Sequence, residues 1–161
     1  MVQDVEWFAL VSTLVGGLIG IGSALMVERT KWQRQVSQDD LKSRRQLYAD
    51  FLADLGITRD AIRAIARGFH PTAISRRQAA EEAFMAADLY SRRFQVAISA
   101  PEPVVAQATA TYRALRSMRD VVAERHDQKS PEYATAKAAF EAALSELLTR
   151  MRADLGARPW R

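Results

Sequence analysis

The side chains that could do chemistry are few. The chain carries two histidines and no cysteine. Bundles that hold metals present Glu-x-x-His pairs on facing helices. Three residues before His70 stands Arg67, and three before His126 stands Ala123, so neither histidine completes the pair. A cation at a helix C-terminus is stabilised by the last carbonyls, which accounts for His126 without a ligand. Glu81, Glu82, Asp88, Asp120 and Glu124 could bring carboxylates together between two helices, but they lack ligand spacing and read as a solvated charged face. No glycine-rich phosphate loop, nucleophile elbow or Ser-His-Asp order can be assembled. Without cysteine there are no disulfides, thiolate metal sites or cysteine nucleophiles. These residues point to no catalytic group, no cofactor and no metal, and hence to a non-enzymatic protein.

Arginines are the other candidates. Arg59, Arg63 and Arg67 recur every four residues on one side of a helix, and with His70 they could form a basic patch. A nucleic-acid surface needs such a patch to continue across the domain. A solvated ridge paired with acids of neighbouring helices is the simpler reading. Ligand sensing or nucleic-acid binding therefore stays the alternative function.

What positions these groups begins with an apolar N-terminal segment. Residues 7–27, WFALVSTLVGGLIGIGSALMV, hold no charge. At about 1.5 Å per residue they would span about 31 Å, close to the hydrocarbon thickness of a bilayer. Ten of these residues are Leu, Ile, Val or Phe, diluted by four glycines and three hydroxyl residues. The segment reads as a transmembrane helix. A cleaved signal peptide would want basic residues ahead of it, where Asp4 and Glu6 stand instead. A buried helix fits less well still: the remaining 134 residues make one domain, small for covering a helix apolar on every side.

Charge gives this segment a direction. All 23 basic residues lie after it, with 17 of the 19 acids. Arg29, Lys31, Arg34, Lys42, Arg44 and Arg45 follow it closely, and basic flanks stay on the cytoplasmic side. The expectation is an N-terminus (1–6) outside, a plasma-membrane span (7–27) and a cytoplasmic domain (28–161). Arg29, Lys31 and Arg34 are expected to contact anionic headgroups of the lipid bilayer. Ser12, Gly16, Gly20 and Ala24 repeat at spacing four, with Gly16 and Gly20 as a GxxxG pair. Such a smooth strip lets two backbones approach closely, so a homo-oligomer joined through this helix is expected.

The domain reads as all-α. Leu41, Tyr48, Leu55, Ile62 and Phe69 recur every seven residues, beside Phe51, Leu52, Ile65 and Ala66. Arg44, Arg45, Thr58 and Arg59 interrupt the companion positions, which favours a bundle over an uninterrupted coiled coil. Gly68 and Pro71 stop this first helix. Ser75 with Gln78 makes a capping box, and Ile74 is placed as a hydrophobic staple. The second stripe is Ala80, Phe84, Ala87, Phe94 and Ile98, with Tyr90 at its edge. Ser99 and Glu102 offer the next cap, followed by Val104, Val105, Ala108, Tyr112, Leu115 and Val122. Ser130-Pro131-Glu132 opens the last helix, whose stripe is Tyr133, Phe140, Ala143, Leu144, Leu147, Met151 and Leu155. Gly156 and Pro159 close it. The spacing predicts helices over 28–67, 76–98, 102–126 and 131–155. Short connections make consecutive helices antiparallel, giving an antiparallel four-helix bundle continuous with the membrane helix.

The run RRQLYADFL, following a glycine-rich N-terminal segment and a basic stretch containing Trp32, resembles small bacterial membrane-anchored proteins of unknown function. The resemblance covers about residues 7–55. It implies the same architecture and no activity. The function expected is a membrane-tethered helical interaction or scaffold module with an unknown cytoplasmic protein partner.

Overall fold

The computed structural model describes residues 40–69 and 74–156. The predicted span 7–27, its association strip Ser12, Gly16, Gly20 and Ala24, the lipid-facing Arg29, Lys31 and Arg34, and His70 lie outside the described residues. Among the described residues no helix is long and apolar enough to cross a membrane. The chain divides into two units, residues 1–42 and 43–161.

The second unit is all-helical among its described residues. A helix α1 is described over 40–66. Four more follow: α2 (Arg76–Ala86), α3 (Leu89–Ser99), α4 (Glu102–Ala123) and α5 (Pro131–Asp154). α4 packs against α5, α2 and α3. The heptad residues Tyr48, Leu55 and Ile62 of α1 are buried, as their spacing predicts, together with Phe51, Ile65 and Ala66. Phe69 falls beyond the helix end and is 71% exposed. Gly68 ends α1 at φ 91°, a conformation that favours a residue without Cβ.

The caps show which local signals are strong. The Ser130 hydroxyl accepts from the Tyr133 amide at 3.2 Å, ahead of Pro131 in the first turn. Ser130→Ala is expected to cost about 1 kcal/mol, read as a lowered urea midpoint by circular dichroism; an unchanged midpoint would show the cap to be idle. Ser75 likewise accepts from the Gln78 amide, but the Gln78 side chain reaches forward to Glu82 at 3.0 Å. The capping box is thus half made. Ile74 packs on the core as a staple should.

Three boundaries differ from the sequence reading. The predicted helix over 76–98 is two helices, because the chain leaves helical geometry at Ala87 and re-enters after Asp88. Ser99 does not cap α4; it is the last residue of α3, and Pro101 precedes α4 without a side-chain cap. α4 ends at Ala123 rather than 126, with Arg125 at φ 75° in the place where helices often put glycine.

Polar groups tie the helices at defined points. Arg44 and Tyr48 of α1 both donate to the Asp154 carboxylate at the end of α5, at 3.1 and 2.8 Å. Arg92 of α3 bridges to Asp50 and Asp54 of α1 at 3.2 and 3.3 Å. Thr111 and Gln107 of α4 donate to the Ala143 carbonyl of α5. Thr58, fully buried, donates to the Asp54 carbonyl of its own helix. A buried hydroxyl with such a partner escapes the cost of an unmade hydrogen bond, which is why Thr58 does not interrupt the core stripe.

Candidate functional site

The break at Ala87–Asp88 resets the rotation of the chain about its axis. In α3 only Leu89 and Val96, seven apart, are buried. Tyr90, Phe94 and Ile98 repeat every four residues and are 61, 45 and 86% exposed. Phe94 and Ile98 are therefore not core residues, as an unbroken helix over 76–98 requires; they form an outward apolar stripe. Such a stripe keeps apolar area in water at about 25 cal/mol per Å².

Arg93 lies against this stripe. Its guanidinium carbon is 5.4 Å from the Tyr90 ring centroid, 5.1 Å from Phe94 and 5.1 Å from Tyr112 of α4. Tyr90 and Phe94 meet edge to face at 4.8 Å. Tyr112 continues to Phe84 of α2 at 5.4 Å, and Arg119 stands over Phe84 at 4.7 Å. The result is a run of rings and guanidinium groups across α3, α4 and α2. Each cation-π contact contributes about 0.5–1 kcal/mol where partly exposed, so the run holds Arg93 in place. No described residue offers Arg93 an ion pair or hydrogen bond. Its neighbour Arg92, in contrast, is spent on Asp50 and Asp54.

The arginines singled out in the sequence do share one side of α1. Among the described residues they do not pair with acids of neighbouring helices: Arg59 binds the adjacent Asp60 at 2.8 Å, and Arg67 lies over the Phe69 ring at 5.6 Å. Their field reaches Tyr133 of α5. Burial raises the ionisation of that phenol above its ordinary range, and Arg63 and Arg67 oppose the rise. The Tyr133 hydroxyl is buried without a hydrogen-bond partner among the described residues. The carboxylates considered as ligands are dispersed. Glu82 takes its bond from Gln78, Asp120 from Arg119 at 2.9 Å, and His126 meets Glu132 at 3.3 Å. Among the described residues no three of His, Asp and Glu gather as a metal site would require.

Sequence reasoning misses the ring and guanidinium run because an unbroken helix puts Phe94 inward. The visible signal is Tyr90, Arg93 and Phe94 at offsets of three and four, the spacing at which helical side chains touch. Comparison with known protein families, with curated proteins and with solved structures finds no match for this chain.

Proposed function

We propose that this chain is a membrane-tethered, non-enzymatic interaction module whose α3 face receives a partner protein. The exposed stripe of Tyr90, Phe94 and Ile98 carries this reading. Apolar side chains repeating on one outward helix face are what a partner's apolar residues cover, and the fixed Arg93 beside them supplies a polar anchor. The uncharged segment 7–27 supports the tether, and Gly16 with Gly20 supports self-association in the bilayer. Tethering raises the local concentration of the face at the membrane without any new contact.

The test is a photoreactive phenylalanine analogue at Ile98 in the full chain, irradiated in the cells that make it. A discrete protein adduct is expected at Ile98 and not at the exposed α5 position Ala138. Equal labelling at both positions, or none, removes α3 as the interaction face. In the same cells the chain is expected to stay with membranes through alkaline carbonate; its release would end the tethered reading.

A further inference from the structure

We infer that the α3 face takes one amphipathic helix of a partner protein, with a single carboxylate of that helix set against Arg93. The inference rests on the interaction-module reading above and adds the chemistry of the partner.

The shape of the stripe comes first. Tyr90 to Ile98 is a rise of about 12 Å along the helix axis at about 1.5 Å per residue. That is a little over two turns, a length which the i and i+4 ridges of another helix fill. The stripe is too short for an extended interface, so a polar contact must fix register.

Arg93 supplies that contact. Three rings crowd its guanidinium, at 5.1–5.4 Å from their centroids. Apolar neighbours lower the local dielectric and displace water, which strengthens a charge-assisted hydrogen bond. The guanidinium is a planar fork whose paired N–H groups match the two oxygens of a carboxylate. It has no such partner among the described residues.

Charge complementarity selects among occupants. Arg92 is spent on Asp50 and Asp54, so the charge that α3 leaves unmet among the described residues is that of Arg93. A single unpaired cation gathers little anionic lipid, because headgroup attraction grows with the number of cations near the surface. A second copy docked by this same face around a two-fold axis would meet Arg93 with groups of the same face, whose carboxylates Asp50 and Asp54 are already taken by Arg92. One carboxylate on an apolar helix completes the set.

The experiment uses the full chain in detergent micelles and two dye-labelled helical peptides. Both carry leucine at every third or fourth position; one flanks that stripe with glutamate, the other with lysine. Fluorescence anisotropy is expected to show saturable binding of the glutamate peptide and at least tenfold weaker binding of the lysine peptide. Arg93→Gln is expected to weaken the glutamate peptide at least tenfold. Ile98→Asp, at a position 86% exposed and so outside the core, is expected to abolish binding while the thermal melt stays unchanged. Equal binding of both peptides, or binding indifferent to Arg93→Gln, overturns the proposal. So does failure of the glutamate peptide to bind.

The chain has no cysteine, so Ser99→Cys places one label beside the stripe. A disulfide between copies at that position would assign the face to a second copy. Quenching of a Ser99→Cys dye by nitroxide headgroups in nanodiscs containing phosphatidylglycerol would assign it to lipid. Either result overturns the proposal. An adduct at Ile98 in cells together with no binding of the glutamate peptide keeps the module and removes this partner; no adduct removes both.

Discussion

Phe140→Ala is expected to destabilise the domain by about 3–5 kcal/mol, the largest effect of any single truncation considered. Phe140 is 0% exposed at the middle of α5. Its removal forfeits the transfer of a phenyl ring from water and leaves a cavity between packed helices that close only in part. Phe69→Ala deletes the same atoms at a site 71% exposed, where the ring meets Arg67. It is expected to change stability by less than about 0.5 kcal/mol. Urea unfolding followed by circular dichroism measures both. Similar losses for the two variants would mean that α5 is not seated as described.

Asp154→Ala ranks second, at about 2–3 kcal/mol. Its carboxylate side chain is only 10% exposed and receives both the Tyr48 hydroxyl and the Arg44 guanidinium. Alanine would leave a buried hydroxyl and a half-buried cation without their acceptor. Tyr48→Phe, which removes one donor and leaves Arg44 paired, is expected to cost about 1 kcal/mol. A double-mutant cycle between the two positions should show strong non-additivity, since both remove the same hydrogen bond.

This cluster also sets a pH dependence. Burial raises the Tyr48 phenol above its ordinary value; the hydrogen bond to Asp154 and that residue's charge add to the rise, and Arg44 opposes it. Tyr133 is raised as well, again through burial first. A phenol whose folded-state value exceeds its unfolded value of about 10 stabilises the fold fully below that pH. Above it the unfolded chain loses its proton first. Stability then falls by at most about 1.4 kcal/mol per pH unit for each tyrosine, until the folded value is reached. The urea midpoint should therefore decline between about pH 10 and 11.5. Tyr48→Phe should make that decline shallower, and a midpoint flat across this range would contradict both shifts.

How much of the molecule is legible in its sequence depends on where the signals lie. Tyr48, Leu55 and Ile62 keep a seven-residue spacing within one helix, so their burial can be read directly. Ser130-Pro131 and Gly68 act through local backbone chemistry, and both stand where that chemistry places them. The interruption at Ala87–Asp88 carries neither glycine nor proline. Asp88 makes no side-chain cap there, so nothing local announces the new helix. That single break turns Phe94 and Ile98 outward and hides the candidate face from a reading by periodicity. Arg92 and Arg93 are adjacent in sequence and identical in type. Only the packing of α3 on α1 and α4 separates one that is paired from one that is not.

The joining of Arg44 and Tyr48 to Asp154 has a further consequence for motion. Helix ends ordinarily fray, and their amides exchange with solvent at little free-energy cost. Here the Arg44–Tyr48 turn of α1 and the last turn of α5 hold each other across 106 and 110 residues of sequence. Neither end can open without releasing the other. Deuterium should therefore enter the amides near Tyr48 and Met151 about as slowly as those near Phe140, so that the seam between these two helices unzips late rather than first.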